Sequence, residues 1–396
     1  MKIVHTSDWH LGQNFMGKSR REEHQAFLLW LVETMERESV DALIVAGDIF
    51  DTGTPPNYAL ELYYDFLTKL SLSSCKNIII TAGNHDSIAT LKAPKQLLKS
   101  LNVHVITTGD ASEDEIVKLC DDADKLEGIV CAVPFLRDYV VRDSLSGESL
   151  NEKESSLTQG IKEHYKKVYE RAELLRAEQN IPIIATGHLT TLGSKTSESE
   201  REIYIGGTLA LESQFLESMF EYIALGHLHI NQRVGCESVR YSGSPIPLSF
   251  SEASTQKRVN LVEFREKELS VKELNIPLQR SLLVIRGDKE SVLEELESVE
   301  NKETWIEIHL DDANPFHANQ VIRAKAEELG LSILALKIDT EEQRLHSKEF
   351  DVISLDELSP LDVFSKRLEK EQLEDEVFVE KLMQNFKKIL SEVEAK

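Results

Sequence analysis

Five apolar runs in this chain each end in a residue able to bind a metal, and that repetition constrains the fold more than any other feature. Ile3-Val4 runs into Ser7-Asp8-Trp9-His10, Ala42-Leu43-Ile44-Val45 into Ala46-Gly47-Asp48, and Ile78-Ile79-Ile80 into Gly83-Asn84-His85-Asp86. Ile183-Ile184-Ala185 leads to Gly187-His188, and Tyr222-Ile223-Ala224-Leu225 to Gly226-His227-Leu228-His229. Short continuous apolar runs closed by turn residues read as strands buried on both faces. Phe27, Leu28, Leu31, Val32 and Met35 recur at helical spacing between the first two runs, as do Leu62, Tyr63, Phe66, Leu67 and Leu70 between the next two. Strands alternating with helices predict a layered α/β core.

In an open α/β sheet the carboxyl ends of the strands share one edge, and ligands bind there. Asp8, His10, Asp48, Asn84, His188, His227 and His229 are therefore expected to converge, although they are scattered from position 8 to position 229. Oxygen and nitrogen donors without a thiolate suit a pair of divalent ions such as Mn²⁺. In Asp8-x-His10 and His227-x-His229 an extended backbone returns both side chains to one face. Gly47, Gly83, Gly187 and Gly226 permit the tight turns that follow. One Asp at a strand end is usually a turn or cap residue, and one buried His is usually a bonded core residue. Five such endings in order are not explained that way, so a metal site is the better reading.

The remaining chain reads as follows. Hydrophilic stretches around 110–127, 145–158 and 193–202 are expected to be surface insertions. A boundary falls near Asn275-Ile276-Pro277, giving a first domain over 1–275. Leu282–Ile285, Trp305–Leu310 and Ile333–Ile338 read as strands separated by two helices, a small α+β domain over 276–350. Residues 351–396 read as charged helices with apolar stripes, Leu361, Phe364 and Leu368 on one and Leu382, Phe386 and Ile389 on another. A short helical hairpin cannot bury such stripes alone and needs a groove or another helix.

Composition sets the outer limits. The formal net charge of −24 lacks the basic footprint of a solitary DNA binder, so either the positive residues gather on one face or metals and a partner supply any attraction to nucleic acid. Four cysteines without paired or C-x-x-C spacing are expected to be reduced and buried. No apolar stretch reaches membrane-spanning length, and Met1-Lys-Ile-Val-His enters a strand-like run directly. A cytoplasmic chain without a signal peptide is the expectation. Lys18, Arg20 and Arg21 are either phosphate contacts or a solvated helix start. Trp9 and Phe50 are expected in the core.

The order Asp8-x-His10, Gly47-Asp48-x-x-Asp51, Gly83-Asn84-His85-Asp86, Gly187-His188 and Gly226-His227-x-His229 resembles the calcineurin-like metallophosphoesterase superfamily. Ser7-Asp8-Trp9-His10-Leu11-Gly12, Gly47-Asp48-Ile49-Phe50-Asp51-Thr52-Gly53 and Tyr241-Ser-Gly-Ser-Pro-Ile-Pro are similar to the nuclease subunits of bacterial SbcC–SbcD complexes within it. The resemblance implies a layered α/β sandwich, followed by a capping α+β domain and a C-terminal helical hairpin. It implies one ion on Asp8, His10, Asp48 and His229, and a second on Asp48, Asn84, His188 and His227. Two such ions, about 3.5–4 Å apart, stabilise both the entering and departing oxygens of an in-line displacement at phosphorus. It gives His85 the role of general acid or charge stabiliser at the leaving oxygen. Asp51 becomes a candidate to orient the His85 imidazole. Archaeal and eukaryotic relatives carry histidine at that place, and a simple turn residue is the competing reading of Asp51.

The resemblance further implies Mn²⁺-dependent hydrolysis of DNA, 3′→5′ exonuclease action on duplex ends and endonuclease action on single strands or hairpins. Its implied partners are DNA and an SbcC-type ATPase docked through the C-terminal helices, within a heterotetramer built on a homodimer. Two rivals stay open: a small-molecule phosphodiesterase on the same metal core, and a non-catalytic scaffold for DNA ends.

Overall fold

The computed structural model describes residues 1–109, 115–121, 123–141, 150–197, 199–200, 203, 210–312 and 314–338. The C-terminal helices expected over 351–396, and the end of the α+β unit after 338, lie outside the described residues.

All five apolar runs are strands, but they do not lie in one sheet. Lys2–Thr6, Ala42–Ala46 and Asn77–Thr81 stand side by side and parallel in one six-stranded sheet, extended by Val103–Ile106 at one edge. The antiparallel pair Arg258–Arg265 and Glu268–Asn275 completes its other edge. Ile183–His188 and Tyr222–Gly226 are parallel neighbours at the centre of a second six-stranded sheet. The single shared edge expected from the sequence is thus replaced by two facing sheets whose strand ends meet.

The reason is visible in side-chain alternation, which has period two along a strand. Ile3, Ala42, Ile44 and Ile79 of the first sheet pack against Ile184, Tyr222 and Ala224 of the second, forming a dry layer between them. Their neighbours point outward: Val4, Leu43, Val45, Ile78 and Ile80 meet the helices Arg21–Glu38 and Asn57–Ser71. Ile183, Ala185, Ile223 and Leu225 meet the helix Leu150–Arg176 and its neighbours. Burial of each such side chain contributes about 1.5–3 kcal/mol. The result is four layers, helix–sheet–sheet–helix. His5 lies within this region as a bonded core histidine, with Nδ1 2.9 Å from the Tyr222 hydroxyl and Nε2 3.1 Å from the Leu225 carbonyl.

Trp9 and Phe50 are core residues; the Trp9 ring stands edge-on to Phe27 and Phe66. The hydrophilic stretches are not simple surface insertions. Ile116–Cys120 and Leu126–Cys131 form an antiparallel pair at the edge of the second sheet, burying Val117 and Leu119. Residues 150–158 begin the 27-residue helix Leu150–Arg176, with Leu157 in the core. Polar composition hides both because each element buries only a narrow stripe. Of the cysteines, Cys75 and Cys131 are buried while Cys120 and Cys236 are half-buried, and all four are free.

Leu282–Gly287, Trp305–Leu310 and Ser332–Ile338 form a three-stranded parallel sheet, with helices Lys289–Glu297 and Pro315–Leu329 burying Val292, Leu296, Ile322 and Ala326 against it. This unit joins the sandwich through Phe15, Phe250, Leu282 and Trp305. Arg20 is neither a phosphate contact nor a solvated helix start. It is fully buried at that joint, over the rings of Phe15 and Trp305 and paired with Glu23 at 2.9 Å. Among the described residues no helix is long and apolar enough to cross a membrane.

Candidate metal centre

The predicted donors sit at the five strand ends, His188 as the last residue of its strand and the others on the turns just past theirs. The first two turns run side by side as a short ladder: Asp8 N–H donates to the Gly47 carbonyl at 3.0 Å, and His10 N–H to the Asp48 carbonyl at 3.1 Å. Asp8, His10, Asp48 and His227 all hold positive φ, at 52°, 46°, 50° and 94°. Such conformations cost non-glycine residues about 1–3 kcal/mol each and persist only where the surroundings impose them. Glycine is required at Gly83, where a Cβ would strike the Asp48 carboxylate, and at Gly47, where it would strike the His188 ring.

The side chains converge from both sheets. Asp8, His10 and His229 present ligand atoms within 4.8 Å of one another, as do Asp8, Asp48 and His188. Asp48 Oδ2 lies 3.2 Å from His188 Nε2 and 3.7 Å from His10 Nε2, while its Oδ1 accepts from the His85 backbone N–H at 2.9 Å. Asn84 Oδ1 is 2.9 Å from His188 Nε2. The His227 ring stands 5.4 Å from that of His188, and its backbone N–H donates to Asp8 Oδ1 at 2.8 Å. The His10 ring lies 4.8 Å from His85 and 5.1 Å from His229.

Two observations show that this donor set fits divalent cations. His188 Nδ1 faces the Ala46 carbonyl at 3.0 Å, which can only accept, so the ring's proton sits on Nδ1. Nε2 then faces two oxygens, of Asp48 and Asn84, a setting that calls for positive charge, either a second proton on the ring or a metal ion in its place. His10 Nε2 is fully buried and has no hydrogen-bond partner, which is costly for a polar atom unless a cation takes its lone pair.

Electrostatics agree. Burial pushes the Asp8 carboxyl up to about 7, with the Asp48 charge adding to it and the His188 charge opposing. Burial would also raise Asp48, but the charge and hydrogen bond of His188 outweigh it and hold Asp48 well below the usual carboxylate range. Burial disfavours charge on His188, yet Asp48 overcomes it and lifts the imidazole to about 9. Burial, with the His188 charge beside it, brings His227 down to about 3, and burial also holds His229 well below its ordinary value. The two close carboxylates draw positive charge onto His188, while His227 and His229 stay neutral, so the centre favours cations.

Comparison with known proteins decides the family. Residues 1–231 match the family described as calcineurin-like phosphoesterase, and residues 279–372 match the type 5 capsule protein repressor C-terminal domain. The chain is 42% identical to the SbcD subunit of the Escherichia coli nuclease SbcCD, over 95% of its own length and 94% of that protein. The chain belongs to the SbcD family of calcineurin-like phosphoesterases. The SbcD subunits from Rhodobacter capsulatus and Bacillus subtilis are 36% and 30% identical, over 72% and 94% of this chain and 71% and 93% of theirs. It is a metal-dependent phosphoesterase, and the family fold implies divalent metals.

In this SbcD-family chain several supporting residues escaped the sequence reading. Asp86 is buried and accepts backbone N–H groups from Gly83, Ile49 and Phe50 at 2.8–3.2 Å, tying the second and third turns together. The 193–202 stretch, expected at the surface, supplies Ser199 and Glu200 to the site. Glu200 Oε1 accepts the His229 backbone N–H at 2.7 Å. Ser199 Oγ donates to Glu252 Oε1 and so accepts from His229 Nδ1, which leaves the His229 Nε2 lone pair for a metal. Glu252 is ion-paired with the buried Lys257, whose Nζ also reaches the His229 carbonyl at 3.1 Å and Ser244 Oγ at 2.8 Å. Ser244 lies in Tyr241-Ser-Gly-Ser-Pro-Ile-Pro, so that motif braces His229 from behind. The only advance signal was its family resemblance.

Asp51 touches two histidines of the centre. Its carboxylate, expected on the His85 ring, lies 3.2 Å from His10 Nδ1. His85 Nδ1 donates at 2.8 Å to the Asp51 backbone carbonyl. A backbone contact carries no residue type, so the sequence could not separate the two.

Metal uptake by this site should release protons. Asp8 near 7 and His188 near 9 are both partly or wholly protonated at pH 7, and a cation must displace those protons. Affinity for Mn²⁺ should therefore rise as pH increases through this range and level off above about 9. Titration calorimetry at pH 7, in buffers of differing ionisation enthalpy, should show net proton release. A buffer-independent heat would mean that the donors are already deprotonated.

Proposed function

We propose that this chain is the nuclease subunit of an SbcC–SbcD-type complex, hydrolysing DNA phosphodiesters with two bound divalent ions, Mn²⁺ being the metal that its oxygen and nitrogen donors suit. The observation that supports this most is the convergence of Asp8, Asp48, His188 and the His10–His229 pair in a chain 42% identical to a nuclease subunit over nearly its full length. Asp8, His10, Asp48 and His229 would hold one ion, and Asp48, Asn84, His188 and His227 the other, with Asp48 shared. When bound, such a pair supplies Lewis-acid stabilisation of the entering and departing oxygens.

The chain's own groups do the rest. Asp51 Oδ1 and the Ser199–Glu252 pair fix the rings of His10 and His229, so that Nε2 of each faces inward. The Asp51 carbonyl keeps a proton on His85 Nδ1, so a second proton taken up by this ring sits on Nε2. From there it passes to the departing oxygen of the cleaved strand.

In this reading the chain divides into a nuclease domain over 1–275, a capping domain over 276–350 and docking helices over 351–396. DNA is the substrate, attacked 3′→5′ at duplex ends and endonucleolytically in single strands or hairpins. An SbcC-type ATPase is the partner, in a cytoplasmic heterotetramer with two copies of this chain, and it gates access to duplex ends. The test compares end-labelled DNA with bis-p-nitrophenyl phosphate as substrates of the purified chain, with Mn²⁺ and with EDTA. Mn²⁺-dependent shortening of DNA is expected. Turnover of the small diester with intact DNA, with and without the ATPase, would move the assignment to a small-molecule phosphodiesterase.

A further inference from the structure

We propose that Arg137 binds a phosphate of the DNA strand next to the one being cleaved, an inference that rests on the nuclease reading above. Arg137 follows the strand Leu126–Cys131 and stands half-buried beside the metal centre. Its Nη2 donates to the Asp86 carbonyl at 3.2 Å, one residue past His85. Its guanidinium carbon lies 5.8 Å from the centre of the Phe135 ring, and that ring stands edge-on to His188 at 6.3 Å. The Phe135 backbone N–H donates to the Ala82 carbonyl at 2.8 Å, so the whole segment is laced to the turn that carries Asn84 and His85.

Among the described arginines that are not exposed, Arg137 differs in its charge balance. Arg20, Arg176, Arg240 and Arg280 are each paired with carboxylates, and Lys257 is paired with Glu252. Arg137 has no carboxylate within ion-pair distance among the described residues. A guanidinium offers five N–H donors in a planar fork, and one carbonyl and one ring face leave most of that fork for a ligand. The fork matches phosphate oxygens in two-point contact. Arg137 lies outside the donor set, with Phe135 between it and His188, which favours a neighbouring phosphate over the scissile one. In a chain of net charge −24, a fixed cation at the lip of the centre gives a polyanion a local point of entry.

The test uses the full chain with Mn²⁺ and a labelled single-stranded oligonucleotide, comparing wild type, Arg137→Gln and Arg137→Lys. Arg137→Gln should raise KM on the order of tenfold, change kcat less, and flatten the salt dependence of binding by about 0.7 in the log–log slope. Metal content and thermal midpoint should stay at wild-type values. Arg137→Lys should keep the salt slope while losing part of the affinity, since the charge remains without the fork. Unchanged KM and salt slope in Arg137→Gln, or a fall in metal content or thermal midpoint that accounts for its loss, would overturn the proposal alone. A wild type that turns over bis-p-nitrophenyl phosphate but leaves DNA intact would overturn the nuclease reading and this proposal together.

Discussion

Asp48→Asn should lower phosphodiester turnover by roughly 10³-fold or more, because it removes the one carboxylate on which both proposed ion sites draw. Asp48 reaches toward His188 and His10 with Oδ2 and accepts from the His85 backbone with Oδ1, so it links three of the turns that build the centre. The amide is nearly isosteric and can keep the contact to His85 N–H, so the turn should hold its shape. What disappears is the charge. His188 then loses the partner that lifts it to about 9, and the cations lose their shared anionic ligand. Metal content per chain, measured after gel filtration, should fall together with turnover of a small diester. A variant that keeps two ions and more than about a tenth of wild-type turnover would show that Asp48 is not shared in this way.

The largest stability effect is expected behind His229. Lys257 is only 2% exposed and its partner Glu252 only 1%. Replacing Lys257 by Met leaves a carboxylate buried without its cation and removes donors from the His229 carbonyl and Ser244 Oγ. Breaking a buried pair by deleting one partner costs about 3–5 kcal/mol, most of it from the stranded charge. The double variant Lys257→Met with Glu252→Gln should recover a large part of that loss, since neither group then carries charge. Urea unfolding of the single and double variants reads both numbers. A loss below about 1 kcal/mol in Lys257→Met would show that water reaches Glu252 and that the brace is loose.

Much of the site was legible because each donor follows a strand that is buried on both faces. Such strands read as unbroken apolar runs, and the polar residue at the end of each stands out against them, as Asp48 does after Ala42-Leu43-Ile44-Val45-Ala46. The same property hid the second sheet. A strand packed on both faces looks alike whether its neighbours lie in one sheet or two, so Ile183–His188 and Tyr222–Gly226 could not be separated from the first three strands by pattern. Ser199, Glu200 and Glu252 were hidden for the opposite reason: they lie in stretches whose composition matches solvent-exposed loops, and only the tertiary fold buries Glu252 against Lys257. Arg20 shows how far context overrides type, since a basic residue two positions from Lys18 became a core side chain between Phe15 and Trp305.

The central claim is that a two-ion centre works with His85 as the proton donor to the departing oxygen. The measurement that tests it most directly is metal content and DNA cleavage by the purified His85→Ala chain, with Mn²⁺ and an end-labelled strand. The account predicts two ions per chain, as in wild type, with cleavage reduced on the order of 10²–10⁴-fold, the range typical of a lost general acid. Cleavage near the wild-type rate with both ions bound would contradict it, and would leave His85 as a residue that only packs beside His10.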